Sequence, residues 1–212
     1  MSVSLPVATA LAAAAAAIAL PLTAPTASAL DCNDIEVVFA RGTGEDPGIG
    51  RVGDAFVNDL RGLVGYRSLG VYAVNYPASY DFLAVADGAN DASGHIQWVA
   101  NNCPNTRIVL GGYSQGAAVV DVVTSIPIPG IGFTNPLPPF AADHIAAVAV
   151  FGNPSAKIGL PLTSSPVFGT RAIDLCNAGD PICSSGNSVV AHRNYGPDGS
   201  ANQAAAFVAN FL

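Results

Sequence analysis

The stretch Arg107-Ile108-Val109-Leu110-Gly111-Gly112-Tyr113-Ser114-Gln115-Gly116-Ala117-Ala118-Val119-Val120 passes from a β-branched run, through paired glycines, to a serine and then into helix-forming sequence. Arg107 to Leu110 predicts a strand running into Gly111-Gly112, and Gln115 to Thr124 predicts a helix. Between them, Gly112-Tyr113-Ser114-Gln115-Gly116 has the form G-x-S-x-G, in the strand–turn–helix setting that a nucleophile elbow needs. The reason is steric. A serine held in a sharp, strained turn leaves no room for side chains flanking it at the second position on either side, and glycine removes the collision. The turn lifts the hydroxyl clear of the backbone at a helix N-terminus, where free N–H groups can bind an oxyanion. The form occurs once, in a chain with 22 glycines.

Outward from the elbow, the pattern repeats. Ile35 to Ala40 is a short apolar run ending near Gly42, and predicts a buried strand. Val52, Phe56, Leu60 and Leu63 fall on one helical face, with Asp54, Asp59 and Arg61 elsewhere. Gly70 to Tyr76 predicts a second strand, stopped by Pro77; Asp91 to Asn102 predicts a helix with Ile96 and Val99 inward. Ile145 to Phe151 and Arg171 to Leu175 predict the fourth and fifth strands. Ala201 to Leu212 predicts a last helix, with Ala205, Val208 and Leu212 on one face. Near-continuous apolar strands alternating with helices imply a parallel sheet covered on both faces, with its site at the C-terminal strand ends. Pro127 to Phe140 and Gly159 to Thr170 are irregular, and their prolines predict loops. No linker interrupts the pattern, so residues 30–212 are expected to form one domain.

Composition narrows the class. The chain has 212 residues, 50% hydrophobic and only 11% charged, which excludes a disordered chain. A net charge of −7, with Lys157 as the single lysine, excludes phosphate-neutralising nucleic-acid binding. Met1 to Ala29 carries no charged side chain; Ala8 to Leu20 is apolar but short for a membrane span, and Ala27-Ser28-Ala29 has the small-x-small form read by a signal peptidase. Residues 1–29 are therefore expected to be a signal peptide cut after Ala29, making the protein secreted. An uncleaved anchor or a buried Ala-rich helix is the alternative, since the leader lacks Lys and Arg. Four cysteines in an exported chain imply two disulfides with three connectivities. Cys176 and Cys183 flank the turn-rich Asn177-Ala178-Gly179-Asp180-Pro181, which leaves Cys32 and Cys103. Loop-closure entropy assigns about 2.5 kcal/mol to the short loop and about 4.4 kcal/mol to the long one.

A serine hydroxyl needs a base, and the base an orienting carboxylate. The usual order in such folds is Ser, then Asp or Glu, then His. His144 and His192 follow Ser114; His144 stands just before a strand, whereas His192 occupies a late, loop-like position and is the better base. His95 reads as a surface residue. The carboxylates between are Asp121, Asp143, Asp174 and Asp180. Asp180 follows the fifth strand inside the Cys176 to Cys183 stretch, and suits a rigid orienting role. The oxyanion donors are expected from the Gln115 backbone and from the loop after the first strand, where Thr43 is placed to help and its hydroxyl adds a donor.

Ala40-Arg41-Gly42-Thr43, Gly111-Gly112-Tyr113-Ser114-Gln115-Gly116-Ala117, Cys176-Asn177-Ala178-Gly179-Asp180-Pro181-Ile182-Cys183, and His192 with Tyr195-Gly196-Pro197-Asp198 together closely resemble the cutinases, most of all the bacterial cutinase-like secreted serine esterases. That resemblance implies a small α/β-hydrolase with a central five-stranded parallel sheet flanked by helices on both faces. It implies a catalytic triad of Ser114, Asp180 and His192, an oxyanion hole of Thr43 and Gln115, and disulfides Cys32–Cys103 and Cys176–Cys183. The expected function is hydrolysis of apolar acyl esters or polyesters through an acyl-enzyme, with no metal and no cofactor. Expected partners are an ester or lipid-like substrate and transient contact with a lipid or polymer surface, the protein acting as a monomer. The alternatives are a lipase or phospholipase, a thioesterase or an acyltransferase on the same triad, or a catalytically silent secreted binding protein. Arg193, directly after the base, stands where family members often carry an apolar residue.

Overall fold

The computed structural model describes residues 1–3, 32–124 and 132–212. Five parallel strands, β1 (Ile35–Ala40), β2 (Leu69–Ala73), β3 (Arg107–Tyr113), β4 (Ile145–Phe151) and β5 (Ala172–Leu175), pair in the order β2-β1-β3-β4-β5. Side chains alternate across the sheet as strand geometry dictates. Val37, Phe39, Ala147, Ala149 and Phe151 point to one face, which α1 (Gly50–Leu63) and α7 (Ser200–Ala209) cover. Val38, Ala40, Val148 and Val150 point to the other, under α2 (Ala84–Asn102) and α3 (Gln115–Thr124). This is the expected small α/β-hydrolase architecture. Every residue of β4 is buried, so the strand can afford no polar face, and its IAAVAVF sequence has none.

Several element boundaries differ from the sequence expectation. The helix α2 begins at Ala84, not Asp91. Gly88, which weakens the helical signal there, sits where a Cβ would press on Val119 and Tyr76, so the residue that obscures the helix also lets it dock against α3. The strand β2 stops at Ala73, and α7 ends at Ala209, short of Leu212. Leu63 is half exposed rather than on the packed face of α1. Pro139 starts a short helix, α4 (Pro139–Asp143), so the proline-rich stretch does not remain irregular throughout; proline fits the first helical turn because its missing N–H has no intrahelical partner there. A one-turn helix, α5 (Pro154–Lys157), follows β4, and two 3-10 turns, Leu162–Ser164 and Gly169–Arg171, punctuate the second irregular stretch. The expected signal peptide and cleavage site lie outside the described residues, apart from the first three, as do residues 127–131 of the proline-rich stretch. Among the described residues, no helix is long and apolar enough to cross a membrane.

His95 is partly buried rather than a free surface side chain. Its ring stacks on Tyr72 at 3.5 Å between centroids, and its Nε2 lies 3.2 Å from Glu36 Oε1. The period-2 and helical signals do not reveal this contact because it joins α2 to strands far away in sequence.

A carboxylate pair inside the fold gives a testable pH dependence. The Asn153 amide donates to Asp121 Oδ1 at 3.2 Å and to Asp174 Oδ2 at 2.9 Å. Burial pushes the Asp121 carboxyl up to about 6, and raises Asp174 as well. An acid with a raised folded pKa binds its proton more tightly when folded. Stability is therefore lost as pH rises from the ordinary Asp value to about 6, by an upper bound of about 3 kcal/mol for Asp121. Asp121→Asn is expected to raise the melting temperature by several degrees at pH 8 and to leave it nearly unchanged at pH 4. Thermal unfolding at both pH values checks this, and an equal shift at the two would refute it.

Candidate active site

The elbow forms as its glycines require. Ser114 has a φ of 56°, in the left-handed region that non-glycine residues rarely occupy. A Cβ on Gly112 would run into the Gly116 carbonyl, and one on Gly116 into the Ala40 carbonyl. The strand β3, the helix α3 and the end of β1 thus meet at distances only glycine allows. The Ser114 N–H donates to the Phe151 carbonyl at 2.9 Å, which fastens the turn to the end of β4. Strain at Ser114 is held in place by this surrounding lattice of contacts.

Beyond β5, the chain turns through the Cys176–Cys183 disulfide, which spans 7 positions and encloses Asp180. Asp180 is fully buried. Its Oδ1 accepts from the Ile182 N–H at 2.7 Å, and its Oδ2 lies 2.7 Å from His192 Nδ1. His192 sits in the last turn of a short helix, α6 (Val189–Arg193), rather than in a loop; the Ser188 side chain caps that helix by accepting from the Ala191 N–H. His192 Nε2 lies 2.9 Å from Ser114 Oγ. Because a buried carboxylate faces Nδ1, that nitrogen carries the proton and Nε2 is left as the acceptor facing the serine. The ring is packed between neighbours: Tyr113 lies 5.0 Å away between centroids and donates its hydroxyl to the His192 carbonyl at 2.7 Å. Burial, then the nearby Glu45 charge, push the Tyr113 phenol up to about 12, so it remains a donor. Gly152, with a φ of 58°, leaves the space the imidazole needs; a Cβ there would come within 2.9 Å of His192 Cε1.

The loop after β1 is fixed from beneath. Arg41 is buried, donates through Nε to the Glu45 carbonyl and through Nη2 to the Tyr76 carbonyl, and its own carbonyl accepts from the Tyr76 hydroxyl. The Glu45 carboxylate accepts from the N–H groups of Gly42 at 2.7 Å and Arg51 at 3.0 Å. Thr43 stands between these anchors and faces the same cleft as Ser114 and Gln115. Gln115 opens α3, so its N–H belongs to the first turn, where helices have no internal acceptor. Its buried side chain donates to the Ser79 carbonyl at 2.9 Å and ties the helix to the loop on the far side of the cleft.

These groups converge on an open cleft of about 680 Å³, whose apolar wall includes Phe82, Ile182 and Val189, with Arg51 and Arg193 at its rim. A larger, mostly apolar cavity of about 800 Å³ lies elsewhere, between α3, α4 and the 160–168 stretch. It holds Asp121 and Ser155 but no imidazole, whereas the smaller cleft has His192 beside Ser114. The structure brings Ser114, His192, Asp180, Thr43 and Gln115 together. It keeps His144, Asp121, Asp143 and Asp174 out of the cleft. It pairs Cys32 with Cys103 and Cys176 with Cys183. Sequence reasoning gave no role to Tyr195, Tyr113, Glu45, Arg41 or Gly152. Arg41, Tyr113 and Tyr195 stand within the quoted motifs and Glu45 just after one, but their contacts, from 3 positions for Glu45 with Gly42 to 79 for Tyr113 with His192, leave no mark in residue spacing.

A serine on a strand–turn–helix elbow at the C-terminal edge of a five-stranded parallel sheet, bonded in series to histidine and aspartate, defines an α/β-hydrolase. A family model described as Cutinase matches residues 31–212. The chain belongs to the cutinase family. It is 63% identical over 191 residues to the protein named Phospholipase Culp4 of Mycobacterium tuberculosis, covering 90% of this chain and 83% of that one. It is 50% identical over 200 residues to Carboxylesterase Culp1 of Mycobacterium bovis, covering 91% and 88%. Among solved structures, it is similar to a Trichoderma reesei cutinase in complex with a phosphonate inhibitor, with a TM-score of 0.69 and 36% identity over 85% of this chain and 77% of that one. An acetylxylan esterase gives a TM-score of 0.73 at 29% identity, over 85% and 99%.

Proposed function

We propose that the protein is a serine carboxylesterase that hydrolyses apolar acyl esters, with Ser114 as nucleophile, His192 as general base and acid, and Asp180 as the group that orients the imidazole. The observation that carries this reading is the unbroken chain Ser114 Oγ to His192 Nε2 at 2.9 Å and His192 Nδ1 to Asp180 Oδ2 at 2.7 Å. Ser114 Oγ attacks the ester carbonyl while His192 Nε2 takes its proton. The carbonyl oxygen becomes an oxyanion facing the Gln115 N–H and the Thr43 backbone and hydroxyl, each donor typically worth about 3 to 4 kcal/mol. The imidazolium returns the proton to the leaving alcohol, which departs and leaves the acyl group on Ser114. Water then repeats the sequence and releases the acid. The apolar wall of the cleft suits an acyl chain, and the exposed Tyr80, Phe82, Leu83, Val189 and Val190 around its mouth suit transient contact with a lipid or polymer surface. We read the protein as a secreted monomer, cut after Ala29, whose two disulfides form in an oxidising compartment.

Phospholipid hydrolysis is a second reading. The similarity to Phospholipase Culp4 favours it, as do Arg51 and Arg193 at the cleft rim. A panel of p-nitrophenyl esters of increasing chain length, run beside phosphatidylcholine and phosphatidylglycerol micelles of matched chain length, separates the two. Turnover of the simple esters but not the phospholipids supports the first reading, and the converse supports the second. No turnover of either, with no labelling by a fluorophosphonate, would overturn both.

The short disulfide gives a further expectation. It braces the turn that carries Asp180, and its loop is too small to add more than about 2.5 kcal/mol of chain-entropy stabilisation. Replacing both Cys176 and Cys183 by alanine is expected to lower kcat about tenfold or more, while the protein still melts cooperatively. An unchanged kcat in the folded variant would refute the link between bridge and carboxylate.

A further inference from the structure

Tyr195 follows the base by three positions, is fully buried, and takes no part in the steps above. Its hydroxyl lies 2.6 Å from Asp180 Oδ2 and 3.0 Å from the Asn177 backbone nitrogen. The Cys183 sulfur, 3.4 Å from the same hydroxyl, is disulfide-bonded and only a weak acceptor, so the much closer carboxylate sets the direction of the first bond. The Asn177 N–H is a donor, so it fills a lone pair on the phenol oxygen, and the carboxylate can only accept. The phenol proton therefore points at Asp180 Oδ2. That is the same oxygen that faces His192 Nδ1 at 2.7 Å. The other oxygen is held by the Ile182 N–H at 2.7 Å. Among the described residues, Asp180 has no Lys or Arg ion-pair partner, so three hydrogen-bond donors hold a fully buried negative charge.

We propose that Tyr195 is a positioning residue for the reaction: its hydroxyl fixes the Asp180 oxygen that orients His192. The inference rests on the reading of Ser114, His192 and Asp180 given above. Without the phenol, the carboxylate keeps one anchor on Oδ1 and loses the one that resists rotation of Oδ2 away from the imidazole. The Tyr195 ring is itself wedged edge-on against Tyr113, Phe151 and His192, at 6.0, 5.9 and 6.4 Å between centroids, so its hydroxyl has little freedom to move. Burial and the bond to Asp180 hold the phenol well above the ordinary tyrosine range, so the donor is present wherever the enzyme works.

Tyr195→Phe removes the donor and keeps the ring. On a soluble short-chain p-nitrophenyl ester, kcat is expected to fall about 10- to 100-fold with KM within about twofold, counted per site titrated by a phosphonate. The low-field proton resonance between His192 Nδ1 and Asp180 is expected to move. In an Asp180→Asn background, the same change should cost less than about threefold, because the two residues act as one unit. A structural role alone would move neither the resonance nor this coupling. A wild-type kcat, an equal loss in both backgrounds or an unmoved resonance would each overturn the proposal. If Tyr195→Phe does not fold, 3-fluorotyrosine at position 195 keeps the packing and alters donor strength; an unmoved resonance there overturns the proposal in the same way. Full activity in Ser114→Ala would instead overturn the reading of the triad, independently of Tyr195.

Discussion

Ser114→Ala is expected to cut ester hydrolysis on the order of a million-fold and to abolish labelling by a fluorophosphonate, with the fold intact. The size follows from what is lost. In the proposed mechanism this hydroxyl forms the acyl-enzyme, and the strained turn at a φ of 56° presents it to the cleft. Alanine fits the same turn with a smaller side chain, so folding should be spared. What survives is catalysis by the polarising donors at Thr43 and Gln115 on bound ester, which in comparable serine hydrolases leaves about a thousandfold over water. Turnover, labelling and melting temperature, measured on one preparation, check the prediction. A folded variant that retains more than about a hundredth of the parent rate would sink the assignment of the nucleophile.

Asp180→Asn is expected to reduce kcat by about 10³- to 10⁴-fold, a magnitude taken from the corresponding change in a serine protease. The cause is a change of tautomer. The carboxylate accepts from His192 Nδ1, which leaves Nε2 unprotonated and facing Ser114 Oγ at 2.9 Å. An amide in the same place can donate to Nδ1 instead. The ring proton then moves to Nε2, and the base presents a donor to the hydroxyl it must deprotonate. The Ile182 N–H bond to the other oxygen can persist, so the backbone need not shift. Direct observation of the ring tautomer by nitrogen NMR, beside kcat, tests the explanation. A loss under tenfold, or an unchanged tautomer, would refute it.

Much of this site was legible in the sequence because its parts depend on local rules. The glycines at 112 and 116 report a backbone crossing, and the structure places a carbonyl where each Cβ would stand. Asp180 could be chosen over Asp121, Asp143 and Asp174 because a disulfide-framed turn after a strand is a rigid place for a carboxylate. Each miss has its own physical cause. The sequence pattern starts α2 seven residues late, since Gly88 dilutes a helical pattern that tertiary packing nevertheless stabilises. The short helix α6 looks like a loop in the sequence, since five residues carry too little periodicity to register. Glu45 has no role in the sequence reading because its bonds to the nearby Gly42 and Arg51 N–H groups run from an irregular loop without periodicity, and Tyr113 and Tyr195 have none because hydrogen bonds to residues 79 and 15 positions away leave no trace in spacing. His95 looked solvated for the same reason, its partner Glu36 lying 59 positions earlier.

The order in which the reacting groups lie along the chain has a consequence for biogenesis. Ser114 precedes His192 by 78 positions, and in the folded chain the imidazole and its carboxylate reach the hydroxyl by way of β5, which pairs with β4, and the 176–183 turn. Without that edge of the sheet the hydroxyl lacks its proton acceptor, His192 Nε2, and is as weak a nucleophile as any surface serine. In the proposed reading, completion of the last strand pair is what arms the hydroxyl, so an unfinished chain carries a silent nucleophile.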